Sequence, residues 1–418
     1  MKFKIKDKSL AENGKLKIEW AKSRMPVLKY LQEFCKDDKP LSGVKIGGCL
    51  HVTKETAVLI DTFKRAGAEM AWSGCNPLST QDDVAASLVV DHNIPVFAWR
   101  GQNKNEYYEC IENVLETIPD LTLDDGADLV LAIHDKHTDL IKNIVGGTEE
   151  TTTGVHRLRS MAQQGKLKYP IIAVNDAETK WEFDNVYGTG QSALDGIIRA
   201  TNVLLAGKEV VVSGYGHVGG GIASRARGMG ANVIVSEIDP IKALKAKMDG
   251  FQVLPMKKAA EVGDLFITAT GCNDVITEEH FRKMKDGAIL ANAGHFDVEI
   301  SVSGLEKIKK SVKEIRPNNR EYLLDDGKRI YLIAEGRLVN LAAAEGHPSE
   351  VMDMSFANQF LSVLHLSENG RKLKPGVYDV PKEQDEKVAR IKLETMGIET
   401  DKLNKDQFNY LKGFSMGT

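Results

Sequence analysis

The chain has 418 residues, with 55 Lys plus Arg against 59 Asp plus Glu and a formal net charge of −4. That length allows two or three domains with cores of their own, the composition is that of a folded soluble protein, and the lack of a basic excess argues against a nucleic acid partner. No run approaches the ~20 apolar residues of a membrane span, and residues 1–26 lack the apolar core of a signal peptide, so no membrane partner and a cytoplasmic location are expected. Cys35, Cys49, Cys75, Cys110 and Cys272 are odd in number and scattered, without C-x-x-C pairing. They read as reduced thiols, and no metal site is expected.

In chain order, short apolar runs alternate with helical stretches. Residues 44–46 read as a strand before a helix over 53–66, and residues 69–72 as a strand before a helix starting at Asp82. Residues 96–99, 129–133 and 171–174 read as further strands. This is the pattern of a doubly wound α/β domain, whose ligands bind in loops at strand carboxyl ends, here 50–53 and 73–77. A helix over 194–205 is expected to lead into a second unit and to act as a hinge.

That second unit opens with a fingerprint. Residues 210–212, Val-Val-Val, suit a buried parallel strand, and Gly214, Gly216 and Gly219 follow in the G-x-G-x-x-G spacing that opens a helix. The first glycine serves a tight turn, the second lets backbone N–H groups approach a diphosphate, and the third brings helix and strand close, with the helix N-terminus favouring the anion. Glu237 ends the next strand, 233–235, where a carboxylate accepts from ribose hydroxyls and repels a 2′-phosphate, so NAD is expected over NADP. Further strands are expected at 253–255, 265–268 and 288–291, with the sheet complete by 339–341. A helix over 351–366 and a charged tail from Lys382 follow. Leu403, Phe408, Tyr410, Leu411 and Phe414 make the tail too apolar to lie in solvent, and docking on the body or on another subunit is expected.

Outside the fingerprint the chain resembles the S-adenosylhomocysteine hydrolase family. The matching segments include GCLHVTKETAVLI at 48–60, NPLSTQDDVAAS at 76–87, LDDGADL at 123–129 and EETTTGVHRL at 149–158. VNDAETKWEFDNVYG at 174–188, NAGHFDVEI at 292–300 and AEGRLVNLAAAEGHPSEVMDMSFANQ at 334–359 extend the match. The resemblance implies two Rossmann-like domains and a small helical tail: a substrate-binding domain over 1–185 completed by about 347–380, an NAD-binding domain over 186–346, and an oligomerisation tail over 381–418. It also implies cleavage of a ribosyl thioether through 3′-oxidation, elimination, water addition and 3′-reduction, with NAD retained, in a homotetramer. An unactivated C–S bond has no easy hydrolytic route, whereas elimination beside a ketone does.

By the same resemblance, Lys180 and Asp184 flank the sugar. They stand at i, i+4, where both can face one point, and Lys180 can take the 3′-hydroxyl proton if burial lowers its pKa. A plain surface salt bridge is the alternative use of the pair. Asp125 and His51 would serve the 5′ end, although Asp125 before Gly126 also suits an Asx turn. Glu150 would hold the 2′- and 3′-hydroxyls, with Glu149 only a cap. Thr151, Thr152, Thr153 and Asn185 would meet the nicotinamide end, which requires the two domains to close, although three β-branched residues also suit a strand. Asn340 would bond the carboxamide, and His295 would reach the sugar from the cofactor side. Thr53, Glu55, Gln81 and His347 would contact the purine, with a solvated helix carboxylate the default for Glu55.

Two departures from the family pattern stand out. Glu345 occupies a position where many members carry Met, and the tail lacks the usual terminal Lys and Tyr, as in archaeal or thermophilic relatives, some of which prefer the inosine thioether. By the resemblance an ionised Glu55 would accept from the 6-amino group of adenine and disfavour a 6-oxo group, so the adenosine thioether leads and S-inosyl-L-homocysteine is the alternative. A 2-hydroxy acid dehydrogenase and an NAD-dependent scaffold are the readings from other classes.

Overall fold

The structure is a computed structural model in which residues 1–414 are described; residues 415–418 of the expected tail lie outside the described residues. Two sheets organise the chain. The first is all parallel, in the order β15-β6-β5-β4-β1-β2-β3. Its strands are β1 (Lys45–Cys49), β2 (Glu69–Ser73), β3 (Val96–Phe97), β4 (Leu121–Asp124), β5 (Gly146–Glu149), β6 (Pro170–Ala173) and β15 (Gly376–Asp379). Strand order reverses between β1 and β4, and in doubly wound sheets that crevice is where ligands bind. Register places Cys49 beside Asp124, Asp124 beside Glu149, and Glu149 beside Ala173. The loops that follow, carrying His51, Asp125, Glu150 and Asn175, therefore leave the sheet at one level.

The second sheet runs β12-β13-β14-β11-β10-β7-β8-β9. Its strands are β7 (Glu209–Ser213), β8 (Asn232–Ser236), β9 (Gln252–Val253), β10 (Leu265–Thr268), β11 (Ala288–Asn292), β12 (Lys309–Arg316), β13 (Asn319–Leu324) and β14 (Arg329–Ile333). β12 and β13 form an antiparallel edge on a parallel sheet. Its order reverses at β7, and the glycine turn leaves β7 at that crevice. Gly214 has φ +92°, a left-handed turn that favours glycine. A Cβ at Gly219 would stand 2.0 Å from the Gly214 carbonyl oxygen, whereas one at Gly216 would meet nothing within 4 Å.

Several elements differ from the expectations. Residues 129–133 are not a strand but lie in the helix Asp128–Lys136; the strand ends at Asp124, before the turn at Gly126. Leu129, Val130 and Ile133 bury one helical face, and an apolar run this short has no periodicity that separates strand from buried helix. Residues 339–341 form the short helix Val339–Ala342, and the sheet closes at Ile333. The hinge helix runs Thr189–Thr201 and stops at Asn202 in the left-handed region. Thr53 caps the helix Lys54–Arg65 from outside, its hydroxyl accepting from the Thr56 N–H. Thr151 likewise precedes the helix Thr152–Gln163, so the three threonines are a helix start rather than a strand.

The tail divides. The helix Lys382–Thr395 packs on its own chain, burying Val388 and Ile391, with Asp385 accepting from the backbone of Glu178 and Thr179. In contrast, Leu403, Phe408, Tyr410, Leu411 and Phe414 are exposed. No helix of the described residues is long and apolar enough to cross a membrane. Because the Gly219 approach is backbone to backbone, Gly219→Ala is expected to cost about 1–3 kcal/mol. A lower midpoint in urea unfolding checks this; an unchanged midpoint would show that helix and strand can move apart.

Candidate active site

The carboxyl ends of both sheets face one cleft of about 1700 Å³. This exceeds the ~300–1,000 Å³ of a single small-molecule pocket and leaves room for a dinucleotide beside a substrate. His51, Asp125, Glu150, Lys180, Asp184, His295, Thr151, Thr152, Thr153, Asn185, Gly214, Gly216, Glu237, Asn340, Thr53, Glu55 and His347 all line it. Two expected site residues do not. Gly219 lies behind the turn, and Gln81 stands back from the wall, its amide donating to the Glu345 carbonyl at 3.3 Å.

Lys180 sits where a short helical turn passes into a π-helical segment, Trp181–Gly188. The wider π turn, with i to i+5 bonding, brings residues 184 and 185 together over residue 180. Lys180 Nζ accordingly lies 2.9 Å from Asp184, and it donates to Asn185 Oδ1 at 2.8 Å and to Asn175 Oδ1 at 3.1 Å. Both partners of the ion pair are buried, so it is not a surface salt bridge. His347 Nδ1 contacts the other Asp184 oxygen, and His347 Nε2 pairs with the Thr189 hydroxyl at 3.1 Å.

Proton affinities around Lys180 are pulled apart. Burial favours neutral Lys180, but the Asp184 and Glu150 carboxylates outweigh it and hold the amine above its ordinary value, contrary to the lowered pKa expected from burial. Burial also opposes ionised Asp184, yet His347 and Lys180 hold that carboxyl well below the usual range. Glu150 is pushed up to about 7, chiefly by burial, against the pull of Lys180. Ser355 and the Gln359 amide donate to its two oxygens.

In the same cleft, His51 Nε2 lies 3.4 Å from Asp125, and His51 Nδ1 shares a hydrogen bond with Ser79 Oγ at 2.7 Å. Burial pushes His51 down to about 4, although Asp125 acts in the opposite sense. His295 reaches across from the second sheet, with Nδ1 3.6 Å from Asp125. Gly126 makes room for it, since a Cβ there would stand 2.5 Å from His295 Nε2. His51, Cys75 and Asp125 present ligand atoms within 4.8 Å of one another, a grouping that scattered cysteines did not foretell. Glu149 is more than a local cap: its Oε1 accepts from the N–H groups of both Gly126 and Thr151, joining the Asp125 turn to the threonine helix.

Glu55 is buried rather than solvated, with Oε1 accepting from Ser349 at 2.6 Å. Lys54 lies 3.4 Å from Glu55 and 3.1 Å from Glu345, and Arg199 holds the other Glu345 oxygen at 3.1 Å. Asn175, Ser79, Ser355, Gln359 and Lys54 were not singled out from the sequence. They lie inside or beside the matched segments, but only their folded contacts mark them.

The residues fit a dinucleotide. Gly216 is open toward the cleft, and Glu237 is fixed at the end of β8 by the N–H groups of Tyr215, Ile238 and Asp239. Asn340 Oδ1 is buried without a hydrogen-bond partner among the described residues, which suits a carboxamide donor. Fold and site define a two-domain α/β enzyme of the dinucleotide-dependent class.

The comparisons sharpen that class. The profile described as "S-adenosyl-L-homocysteine hydrolase, NAD binding domain" matches residues 185–346, and that described as "S-adenosyl-L-homocysteine hydrolase" matches residues 2–138. An adenosylhomocysteinase of Sulfurisphaera tokodaii is 59% identical over the whole of both chains, and one of Aquifex aeolicus 58% identical over the same span. An S-inosyl-L-homocysteine hydrolase of Methanococcus maripaludis is 57% identical over 99% of each chain. The chain belongs to the S-adenosyl-L-homocysteine hydrolase family, and NAD is its cofactor.

The two displaced site groups give opposite pH dependences. His51 binds its proton less readily folded than unfolded, so its contribution is full above pH 6.5 and is lost as pH falls toward 4. Glu150 binds its proton more readily folded, so its contribution is full below pH 4.5 and is lost as pH rises toward 7. Relative to wild type, His51→Gln should therefore gain stability as pH falls from 6.5 to 4, and Glu150→Gln as pH rises from 4.5 to 7. Each gain should reach about 3 kcal/mol. Urea titrations across this range check it; parallel curves for all three proteins would refute the displaced proton affinities.

Proposed function

We propose that the chain reversibly hydrolyses S-adenosyl-L-homocysteine to adenosine and L-homocysteine, with NAD retained through the cycle. The observation that carries the reading is the convergence of two clusters of titratable side chains, Lys180–Asp184–Glu150 and His51–Asp125–His295, on one cleft that also contains a dinucleotide turn. A simple alcohol oxidation needs one such cluster, whereas exchange of a thiol for water needs a second at the leaving group. Residues 1–185 with about 347–380 would hold the substrate and residues 186–346 the cofactor.

Gly214, Gly216, Glu237, Thr151, Thr152, Thr153, Asn185 and Asn340 would hold NAD, which when bound supplies reversible oxidation at the sugar 3′-carbon. Lys180 serves the 3′-hydroxyl. Its three hydrogen-bonding directions are spent on Asp184, Asn175 and Asn185, which fixes it as a positive charge beside the 3′-oxygen, and Glu150, poised near neutrality, is the nearby group able to take the hydroxyl proton and return it. At the 5′ side, the His51–Asp125 pair can give a proton to the departing thiolate and recover it from the water that then adds, with His295 closing that end against solvent.

Glu55 presents an acceptor matched to the adenine amino group, supported by Thr53 and His347, and this favours adenosine over inosine. Titrating enzyme, homocysteine and either nucleoside in the condensation direction tests it. Adenosine is expected to react with the higher kcat/KM, and Glu55→Gln to narrow the preference by roughly tenfold; an inosine preference in wild type would transfer the reading to the inosyl compound. Lys180→Ala is expected to retain NAD while losing turnover, checked by thiol release and by NAD content of the purified protein. Turnover at the wild-type rate would remove Lys180 from the chemistry.

The reading extends to a homotetramer in a cytoplasmic setting, where five free thiols are stable. Ile241, Leu244 and Met248 are exposed along the helix Pro240–Met248, with Ile238 beside them, and the tail from Leu403 to Phe414 is apolar and exposed too. Such faces ask for a cover, and a second copy supplies one. Sedimentation of the purified protein measures the subunit number.

A further inference from the structure

The helix His217–Gly228 presents a stripe to the segment that follows Lys180. His217, Gly221 and Arg225 stand at i, i+4 and i+8 and share a face. Each meets a different residue of Trp181–Gly188. The His217 ring lies on the Trp181 indole, centroids 4.0 Å apart and planes 33° apart. Val186 brings its carbonyl oxygen to 2.1 Å from the point where a Gly221 Cβ would stand. The Arg225 guanidinium sits 5.2 Å over the Tyr187 ring. Trp181 and His217 both line the cleft.

The two sides of this joint hold different parts of the site. The helix N-terminus, at Gly216 and His217, is the seat of the cofactor diphosphate, while the segment carries Asp184 and Asn185 and begins directly after Lys180. The Gly221–Val186 contact is backbone on backbone and leaves no slack. Side chains set the ring stack and the Arg225–Tyr187 contact, and of these two the stack is the one that lines the cleft and adjoins Lys180.

We propose that Trp181 and His217 are positioning residues, and that their stack couples the cofactor's diphosphate seat to the placement of Lys180. This rests on the NAD-dependent reading above. Seating the diphosphate fixes the first turn of the helix, the stack carries that constraint to the indole, and Trp181 is bonded to Lys180 itself. The chemistry at the 3′-hydroxyl is then aligned when the cofactor is seated.

Four variants test the joint: Trp181→Ala, Trp181→Phe, His217→Ala and His217→Phe, each as purified holoenzyme. The rate of NAD loss on dilution is measured, together with kcat, KM and the pH profile of thioether hydrolysis at saturating NAD. Both alanine variants should lose NAD roughly tenfold faster. With NAD saturating, their kcat should fall and its pH profile shift while KM stays within about twofold, and the phenylalanine variants should return to within about twofold of wild type. Unchanged NAD loss overturns the proposal. So does faster loss with kcat and pH profile intact, which would make the stack a cofactor contact alone, or Phe variants no better than Ala. If Trp181→Ala does not fold, the His217 pair decides the question. A wild type that holds NAD but cleaves no thioether would sink the functional reading instead, and the NAD-loss rates would still show whether the stack serves the cofactor seat.

Discussion

Asp125 is touched from both halves of the molecule, and the active cleft depends on that meeting. His51 approaches from the loop after β1 and His295 from the loop after β11, so the carboxyl ends of two separate parallel sheets converge on one carboxylate. Gly126, at φ +111°, turns the chain directly after Asp125 and leaves the space that His295 fills. Each sheet alone would offer a shallow crevice at its switch point. Facing one another, they line one cleft in which Asp125, Lys180 and Asp184 are buried.

Enclosure makes electrostatics strong and demanding. Unpaired charges in such a cleft would be costly, and Lys180 and Asp184 are tolerable there because they neutralise each other and are bonded by Asn175, Asn185 and His347. Glu150 and His51, less fully compensated, move their proton affinities instead, in directions that leave both near neutral form. Affinities displaced in opposite senses within one cleft suit acid and base work there.

The cofactor half was the most legible from the sequence, because the glycine turn depends on local backbone geometry that spacing records. The expected strands 69–72, 210–212 and 233–235 match the observed ones to within a residue at each end, whereas 44–46 stops three residues short of Cys49 because Gly47 and Gly48 interrupt the apolar run. Legibility failed where tertiary contacts decide. Residues 129–133 had the composition of a strand and the burial of a helix, and only the turn before them settles the matter. The i, i+4 spacing of Lys180 and Asp184 is visible in the sequence, but not the π turn that adds Asn185, nor that Asp184 and Glu150 together outweigh burial at Lys180. Glu55 is expected at the purine, but its helix position alone equally suits a solvated carboxylate; its burial depends on Ser349, almost 300 residues away, which donates to it.

The central claim is that oxidation at the sugar 3′-carbon is temporary and internal. Thioether deuterated at that carbon, followed through many turnovers with the bound nicotinamide monitored, tests it most directly. The expected result is nucleoside that keeps its deuterium at the same carbon, a slowed rate, and no accumulation of reduced cofactor in solution. Stoichiometric release of reduced cofactor carrying the deuterium, with an oxidised sugar as product, would contradict it.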